Sequence, residues 1–514
     1  MILDRLIFWG LCAVLILLPL PFGATEEWAV FGFEVAAVVL YALHLIREWK
    51  GGGSSPRVNE TVGPEKGGAL PAYLKILLFV FLALSVVQLV PLPMGFIRVV
   101  SPGTSGAWDA LSREGMGLAR EGGWRTLSLI PALSSYELAK VAAYALFAWL
   151  IFKRVRRKTD VEIFVLVLVI GAALQSLYGL AEHFGGTEQI FGYKKVNYVG
   201  SATGTFINRN HFSGFLEMLF PLALGYLLAR TKFFGLRKGL SLKEKVLWLG
   251  QEKLQKAVVI GLVPVLIGLG IIFSRSRTGI FVFLATLALA AVLISAAGWS
   301  GGGGRRVAGT VRTVALVVLF AAVLIGIRPV IERFSWSDLE KEQRPVFYRN
   351  TLGIVSDYPL TGTGAGTFQN AYPRYQKKST PWLLDHAHND YLEILAESGL
   401  PGGGCLILAA FGILVVLYGR WAGRRDPFVK GILLGALLGI TALLIHSLTD
   451  FNLRIPANAA YFVALYALAL RLSVMGRHNR SASGVYIAAE PEESGRPVNR
   501  AGIRSAGPEE QGRA

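Results

Sequence analysis

Long apolar segments alternate with short polar ones along almost the whole chain. Twelve apolar segments come close to or exceed the roughly 17–25 residues that cross a bilayer as a helix. Because backbone polar groups must be satisfied within the lipid, such segments predict α-helices. The pattern therefore predicts an all-α polytopic membrane protein with about twelve transmembrane helices. Their approximate limits are 6–22, 28–46, 72–92, 136–152, 161–181, 211–229, 257–273, 279–297, 312–327, 402–419, 428–448 and 456–474.

The composition agrees with this interpretation. Hydrophobic residues make up 53% of the 514 residues and charged residues only 17%, whereas soluble domains carry about 25% charged residues. These values exclude a soluble enzyme, a disulfide-stapled secreted domain and a disordered protein. The two cysteines, Cys12 and Cys405, lie in or beside apolar segments, and we interpret them as small apolar residues.

The net charge of +18 would indicate nucleic-acid binding in a soluble protein. Here the short basic loops all fall on one side of the predicted membrane, after spans 2, 4, 6, 8 and 10. This distribution follows the positive-inside rule and predicts cytoplasmic N- and C-termini, with no nucleic acid as a partner. Arg5 precedes the first span, but no clear small-x-small cleavage site precedes Thr25, so we expect an uncleaved span.

Four parts follow from this topology. Residues 1–327 carry spans 1–9 and their outer loops, 328–401 form a large periplasmic loop, 402–474 carry spans 10–12, and 475–514 form a cytoplasmic tail. The tail is rich in Gly, Ser, Pro, Arg and Glu and is typical of disorder. In the large loop, Ser337-Asp338-Leu339-Glu340 is a capping-box pattern, and Arg344-Pro345 predicts the start of a further short helix.

Arginines occur at the outer membrane face, against the charge rule. Arg275 and Arg277 lie in the short connection between spans 7 and 8. They either reach toward lipid phosphates or form an anion site, because two guanidinium groups suit a phosphate or pyrophosphate. In the large loop, helical spacing brings Arg344 and Arg349 near each other; the alternative is a solvated surface charge.

The segment before span 6 is polar and reads Asn208-Arg209-Asn210-His211. Asn208 and Asn210 are good residues for capping the following helix. The functional alternative is a basic, amide-rich rim around a pocket, since these residues lie at the same outer level as Arg275.

A glycine-rich stretch, 362–368, follows Pro359. It has only a superficial likeness to a nucleotide-binding loop, because no βαβ context surrounds it. We expect a tight turn in which the backbone approaches a neighbour closely. The amides of Gly364 and Gly366 are candidates for contact with an anion.

The richest cluster of chemical groups is the segment 385–393, which contains His386, His388, Asn389 and Asp390. A metal site formed by the two histidines and Asp390 is one interpretation, although the spacing is not specific. A capped helix start at Asn389 is another. The third, which we favour, is a histidine general base beside orienting polar groups.

These features converge at the outer membrane face. Cations stabilise a departing diphosphate, and a neutral imidazole takes a proton from an attacking hydroxyl group. The combination predicts glycosyl transfer from a lipid-borne donor.

The sequence resembles the O-antigen ligase and O-antigen polymerase superfamily of bacterial inner-membrane glycosyltransferases, most strongly from about 204 to 402. His388, Asn389, Gly399 and Gly402 fit the ligase motif of His, then Asn, Ser or Gln, nine residues, and Gly-x-x-Gly. The other matching elements are Gly-Thr-Phe-Ile-Asn-Arg-Asn-His at 204–211, Ser-Arg-Ser-Arg-Thr-Gly at 274–279, the loop arginines, Pro-Leu-Thr-Gly-Thr-Gly-Ala-Gly-Thr-Phe at 359–368 and His-Ala-His-Asn-Asp-Tyr-Leu at 386–392.

The resemblance implies a metal-independent, inverting transfer from an undecaprenyl-diphosphate-linked glycan, with no cofactor. His388 matches the catalytic histidine, Arg275 or Arg277 the arginine after span 7, and Arg344 or Arg349 that of the large loop. The acceptor implied for a ligase in lipopolysaccharide biosynthesis is lipid A-core, and for a polymerase a growing glycan. Protein-glycosylating members form a third group. A lipid-linked glycan flippase is the rival from another class.

Overall fold

The computed structural model describes the chain in seven stretches, and the following statements concern these alone. They are residues 2–50, 70–113, 123–230, 252–296, 304–334, 343–376 and 383–476. The predicted disordered tail, 475–514, lies outside the described residues except for residues 475 and 476. The predicted capping box at 337–340 also lies outside them.

Helices dominate the described residues. In the first half of the chain the helices are α1 Ile2–Leu17, α2 Glu27–Lys50, α3 Ala72–Val87, α4 Met94–Val100, α5 Pro102–Arg113, α6 Pro131–Arg154, α7 Lys158–Gly185 and α8 Arg209–Ala229. In the second half they are α9 Glu252–Phe273, α10 Arg277–Ala296, α11 Gly304–Ile325, α12 Arg328–Ile331, α13 Arg344–Asp357, α14 Phe368–Ala371, α15 Asp390–Ala422, α16 Pro427–His446 and α17 Pro456–Val474.

Short strands and 3₁₀ turns complete the described elements. Strand β1 Leu92–Pro93 pairs antiparallel with β2 Trp124–Arg125, and β3 Gln189–Ile190 pairs with β4 Tyr193–Lys194. The 3₁₀ helices are Glu332–Phe334, Tyr372–Tyr375 and Asn452–Arg454.

Nine of the described helices are long and apolar enough to cross a membrane: α2, α6, α7, α8, α10, α11, α15, α16 and α17. The prediction of a helical membrane protein is therefore confirmed. Each of the twelve predicted spans falls on a helix, but α1 and α3 end earlier than predicted. In α1 the reason is chemical, because Pro19 and Pro21 cannot continue a helix.

Span 10 begins earlier than predicted. Helix α15 starts at Asp390, within the histidine motif, and continues through the membrane segment with one break at Gly399, where φ is +68°. A side chain at Gly399 would meet the Leu360 carbonyl at 2.5 Å, so this position requires glycine on both conformational and steric grounds. The histidine motif is consequently attached directly to a membrane helix.

Helices α8 and α16 lie at the centre of the molecule, and most of their residues are buried. Glycines allow the two backbones to approach closely: a Cβ at Gly225 would lie 2.4 Å from the Gly431 carbonyl, and one at Gly439 would lie 2.2 Å from that of Met218. Small residues at helix contacts are the usual means of close packing in lipid. This packing places the start of α8 beside the turn that follows α16.

The segment between α11 and α15 carries short helices, and one of them, α13, was predicted. Helix α13 begins at Arg344 with Pro345 in its first turn, as expected. A small apolar core joins α13, α14 and the start of α15, formed by Ile354, Val355, Tyr358, Phe368, Ala371, Tyr372, Ala387 and Ala396. This core holds the histidine motif against α13.

Candidate active site

The carboxylate of Asp450 is the centre of the candidate site. It lies in the turn between α16 and α17, and its side chain is fully buried. Its Oδ1 is 3.2 Å from the Nδ1 of His388, and its Oδ2 is 3.2 Å from a guanidinium nitrogen of Arg344. The Asn210 amide donates to the same Oδ2 at 2.6 Å. Four separate elements thus meet at one carboxylate.

Asp450 is held in its charged form. Burial favours the neutral acid, but contacts with His211 and His388 outweigh that effect and hold the pKa of Asp450 well below its ordinary value. The Nε2 of His211 is 3.7 Å from Oδ1, and the backbone N–H of Phe451 donates to Oδ1 at 2.9 Å. A charged carboxylate accepts hydrogen bonds only, so it favours the proton on His388 Nδ1 and leaves Nε2 as the basic nitrogen.

His388 adopts a strained backbone conformation, with φ at +52°. Non-glycine residues rarely occupy this region, and such strain concentrates at functional sites. The Tyr348 hydroxyl donates to the His388 carbonyl at 3.0 Å and thereby ties the strained residue to α13. The centre of the imidazole ring is 6.0 Å from that of the Phe347 ring, on which it stacks, and 4.9 Å from that of the Phe451 ring, which it meets edge to face.

His386 belongs to a different charge network. Its Nδ1 is 2.8 Å from Glu393, which also accepts the N–H of Ala387 at 2.8 Å. Arg454 contacts Glu393 at 3.1 Å and Glu397 at 2.5 Å. The two imidazoles therefore have separate carboxylate partners. Within the described residues, no group of three or more His, Cys, Asp or Glu side chains is arranged to hold a metal ion.

Arginines gather around the turn 198–201. The Arg275 guanidinium donates to the Gly200 carbonyl at 2.9 Å, and the Arg209 guanidinium lies 5.2 Å from the centre of the Tyr198 ring. Arg209 is also subject to the like charges of Arg275, Arg277 and Arg333. Arg275 has a φ of +57°, so it too is strained. We call Arg209, Arg275, Arg277 and Arg333 the arginine cluster.

The arginine cluster is connected to the carboxylate centre. Thr278, directly after Arg277, shares a 3.0 Å hydrogen bond between hydroxyls with Thr449, the neighbour of Asp450. Tyr198 lies against Arg209 and interacts electrostatically with both Asp450 and Arg344. A concentrated positive charge thus lies beside the His388–Asp450 pair, as a departing anion requires.

Comparison with known protein families gives one match. Residues 262–407 match the family model described as O-antigen ligase. The match supports a likeness of this segment to the O-antigen ligase superfamily. A comparison with the curated proteins gives no match. The predicted resemblance is confirmed for a segment that contains Arg275, Arg277, Arg344, Arg349 and His388, and the members of this superfamily are glycosyltransferase-like enzymes.

The two arginines of α13 differ in burial and in contacts. Arg344 is partly buried and pairs with Asp450. Arg349 lies more than one turn further along the helix and is exposed. The sequence left this pair undecided, and the geometry brings only Arg344 into contact with the carboxylate centre. In the other pair, Arg275 and Arg277 are both partly buried and both act electrostatically on Arg209.

Two of the predicted binding asparagines cap helices. Asn208 caps α8, because its side chain accepts the Asn210 N–H at 2.8 Å. Asn389 caps α15 by accepting the Leu392 N–H at 3.0 Å, and its amide donates to the Leu448 carbonyl at 2.9 Å. The capping interpretation is therefore confirmed for both. Asn389 nevertheless also braces the turn that leads to Asp450.

The glycine-rich stretch 362–368 packs against neighbouring parts of the protein. The N–H of Gly364 donates to the Glu397 carbonyl at 3.0 Å, beside the break in α15. A Cβ at Gly366 would lie 2.5 Å from the Glu137 side chain. The expected close backbone approach is confirmed, and its neighbour is the protein itself. The contact of these two glycines with an anion stays a prediction.

Sequence reasoning missed Asp450, Arg454 and Glu217. Asp450 and Arg454 lie in the short outer connection between spans 11 and 12, where charged side chains on the same face as His388 were a usable signal. Glu217 is a carboxylate within apolar α8, and its Oε2 lies 3.0 Å from His446 Nδ1. Both residues of this pair are buried.

Proposed function

We propose that this protein is a ligase-like glycosyltransferase that moves an undecaprenyl-diphosphate-linked glycan onto an acceptor hydroxyl group. The observation that carries the proposal is the His388–Asp450 pair beside the arginine cluster. The proposal includes His388, Arg344 and either Arg275 or Arg277 as catalytic residues, with Asn210, His211 and Arg209 at the edge of the donor site.

In the proposed step, the acceptor oxygen attacks the anomeric carbon of the donor sugar. The hydroxyl proton passes to His388 Nε2, and Asp450 stabilises the resulting imidazolium. The bond between the anomeric carbon and the phosphate oxygen breaks, and its electron pair leaves on the diphosphate. The arginine cluster and Arg344 stabilise that charge. Attack opposite the leaving group inverts the anomeric carbon, and no metal is required.

The proposed topology follows the distribution of basic loops. It has twelve spans in the bacterial inner membrane, cytoplasmic termini and the segment 328–401 in the periplasm. In this arrangement the starts of α8, α10 and α15 and the turn after α16 all lie at the periplasmic face. Donors already carried across the membrane would reach the site there, next to the lipid surface.

The test is transfer in nanodiscs, where both faces of the protein are accessible. The full chain receives a fluorescent undecaprenyl-diphosphate-linked oligosaccharide with either lipid A-core or a second donor molecule as acceptor. We expect transfer by the wild type, none by His388→Ala, and reduced but measurable transfer by His386→Ala. Absence of transfer by the wild type to either acceptor would overturn the proposal and favour a flippase.

The same assay separates ligase from polymerase. Product on lipid A-core supports the ligase, for which the His-Asn-x₉-Gly-x-x-Gly spacing of His388, Asn389, Gly399 and Gly402 is typical. Longer chains on the donor lipid support the polymerase. In cells lacking the gene, the ligase predicts accumulation of long lipid-linked polymer, whereas the polymerase predicts acceptors that carry a single repeat unit.

A further inference from the structure

The connection between α7 and α8 contains a small hairpin with apolar side chains on its outside. Strands β3 and β4 pair so that Ile190 lies opposite Tyr193, and Ile190 is buried against the protein. We call residues 189–199 the hairpin segment. A concentration of exposed apolar residues marks an interaction surface. In this segment four large apolar side chains are 56–89% exposed: Phe191, Tyr193, Val196 and Val199.

The tip of the hairpin segment carries a strained aromatic residue. Phe191 and Gly192 form its two-residue turn, and their φ angles are both positive, at +49° and +87°. Such turns favour Asn-Gly or Asp-Gly, because a bulky side chain is strained at positive φ. Tyr178 of α7 holds the strained residue: the Phe191 N–H donates to the Tyr178 hydroxyl at 2.9 Å, and the two rings stack with their centres 5.4 Å apart. An aromatic ring is therefore kept at the tip against the local backbone preference, which indicates a role for it.

The contact with Tyr178 places the tip beside α7 and not beyond its end. Tyr178 lies seven residues before Gly185, the last residue of α7, which corresponds to about 10 Å at 1.5 Å per residue. Helix α7 is a candidate membrane span of 28 residues. Its length of about 42 Å exceeds the roughly 30 Å of the hydrocarbon core. The hairpin segment consequently folds back along α7, toward the depth at which such a helix enters the lipid.

The exposed apolar surface of α7 continues onto the hairpin segment. The large exposed apolar residues of α7 are spaced by seven, four, three and seven positions, so they share one face of the helix. In a candidate span such a face lies against lipid, and Tyr178, which holds the tip, directly follows one of these residues. Tyrosine and lysine side chains are typical anchors at the boundary between lipid and water, and the hairpin segment exposes Tyr193 and Lys194 there. The face of α7 consists of Ile163, Ile170, Leu174, Leu177 and Phe184.

A buried lysine fixes the hairpin segment to the protein. Lys195 Nζ lies 2.7 Å from the Glu182 carboxylate of α7 and donates to the Ser201 carbonyl at 2.9 Å. The Lys195 backbone N–H donates to the Glu188 carbonyl at 2.8 Å, and the Glu188 carboxylate accepts the Gly200 N–H at 2.9 Å. Breaking a buried ion pair is strongly unfavourable. The hairpin segment is therefore held rigidly to the turn that contains Gly200 and Ser201.

That turn carries the arginine cluster. The Gly200 carbonyl accepts from Arg275 at 2.9 Å, and Arg209 donates to the Ser201 hydroxyl at 3.4 Å. The position of the hairpin segment relative to the lipid therefore sets the depth of these guanidinium groups. A diphosphate attached to a lipid lies at the boundary between the acyl chains and water, so the depth of the guanidinium groups decides whether they reach it.

We propose that the hairpin segment inserts its exposed apolar side chains into the lipid on the side of the membrane that carries the His388–Asp450 pair, and thereby holds the arginine cluster at the depth of the donor's diphosphate. The insertion is independent of the reaction, whereas the depth assignment rests on the proposed function, which supplies the donor. Lipid is favoured over a glycan as the partner for two reasons. Val196, at 89% the most exposed of these apolar residues, has an aliphatic side chain, and the surface continues the lipid-facing side of α7.

The first test measures the surroundings of Val196 with a fluorescent label. The full chain in nanodiscs, with Cys12→Ala and Cys405→Ala, carries the environment-sensitive dye NBD at Val196→Cys. Asn370→Cys, exposed in α14, is the aqueous control, and Leu174→Cys, on the exposed face of α7, is the lipid control. We expect the label at position 196 to be quenched by phospholipids with a doxyl group near the head group and to lose its quenching by aqueous iodide. Iodide quenching equal to that at position 370 would overturn the proposal.

The same label distinguishes lipid from glycan as the partner. The water-soluble oligosaccharide of the donor should leave the emission at position 196 unchanged. A label that is open to iodide and becomes protected by this oligosaccharide would overturn the proposal in favour of a sugar-binding surface.

The second test measures the use of the donor. Val196→Ser with Val199→Ser removes apolar surface, and Gln189→Ser with Asn197→Ser, at exposed polar positions of the same segment, is the matched control. We expect the first double variant to raise the KM for the undecaprenyl-linked donor about tenfold, with an unchanged KM for the acceptor, and the second to alter neither. A short-chain, water-soluble diphosphate donor should be used by both as by the wild type. Equal effects of the two double variants, or an effect that persists with the soluble donor, would overturn the depth assignment.

The third test breaks the link between the hairpin segment and the turn that carries the arginine cluster. Glu188→Ala removes the acceptor of the Gly200 N–H and is expected to raise the KM for the lipid-linked donor. Glu188→Gln keeps an acceptor oxygen and should restore most of the wild-type value. A wild-type KM in Glu188→Ala would contradict the link.

The label and the transfer assay separate this inference from the proposed function. Transfer by the wild-type chain together with an iodide-accessible label at position 196 would defeat the inference alone. Quenching of that label by lipid, without transfer by the wild-type chain, would defeat the proposed function alone.

Discussion

The Asp450 side chain lies 62 residues beyond His388 in the chain, yet its Oδ1 is 3.2 Å from the His388 Nδ1. Asp450 also accepts from Asn210 and pairs with Arg344. One carboxylate thus fixes the position of the proposed base and of one proposed cation.

Substitution of Asp450→Asn should lower turnover more than it lowers donor binding. The amide cannot stabilise a protonated His388 and leaves Arg344 without its counter-charge; an equivalent change in a Ser-His-Asp triad costs about 10⁴ in kcat. We expect a loss of roughly 10²–10⁴ in kcat, measured by transfer in nanodiscs. Asp385→Asn is the control, because Asp385 is exposed and contacts Gln369. Similar losses in both variants would remove the assigned role of Asp450.

The two arginines of α13 should behave differently. Arg344→Ala removes a cation that contacts buried Asp450, and loss of one partner of a buried charge pair costs about 2–5 kcal/mol. We therefore expect transfer to fall by at least about tenfold. Arg349→Ala, at an exposed position, should retain most activity. Equal activity of the two variants in the nanodisc assay would show that the pairing with Asp450 has no part in catalysis.

The arginine loop should control engagement of the donor. Arg275→Gln and Arg277→Gln each remove one positive charge from the arginine cluster, so we expect a higher KM for the diphosphate-linked donor and an unchanged KM for the acceptor. Charge-assisted hydrogen bonds are worth about 1.5–3 kcal/mol each, so an increase of roughly tenfold or more is expected. Unchanged donor binding and turnover in both single variants would exclude this role.

His386 should make stability depend on pH. Burial opposes its protonation, but the Glu393 carboxylate outweighs that effect and raises the pKa of His386 above its ordinary value of 6.5. The protonated pair therefore stabilises the fold fully below the unfolded-state pKa, and this contribution is lost as the pH rises through the folded-state pKa. We expect the Tm in detergent to fall as the pH rises from the unfolded-state pKa of His386 through its folded-state pKa. His386→Gln should flatten the dependence; an unaltered pH profile in this variant would contradict the assignment.

The buried pair of Glu217 and His446 should position the site without taking part in the chemistry. His446 is the last residue of α16 before the Asp450 turn, and a Cβ at Gly279 in α10 would lie 2.7 Å from Glu217 Oε1. The pair therefore lies between the turn of Asp450 and the helix that follows Arg277. We expect Glu217→Gln to lower kcat and Tm together. Glu217→Asp, which keeps the carboxylate, should lower both by less. A Glu217→Gln variant with wild-type kcat would refute the positioning role.

The sequence alone determined the helical membrane class, the O-antigen ligase resemblance and the arginines and histidines that carry it. Apolar segments of bilayer length and the linear motifs are local properties of the chain. The helix ends were predicted less accurately than the helices themselves. Pro19 and Pro21 end α1 early, and α15 begins within the histidine motif. The reason is that local turn chemistry competes with hydropathy at the ends of spans.

Only the tertiary structure decided which of these residues meet. The close packing of α8 on α16 brings Asn210 and His211 to Asp450, a residue that no motif had marked. Arg344 is partly buried against Asp450, whereas Arg349 is exposed. His386 pairs with Glu393, and His388 pairs with Asp450. Charge pairing acts over a few ångströms in space and not along the sequence. For this reason the chain showed its candidate chemistry, while the assignment of partners required the fold.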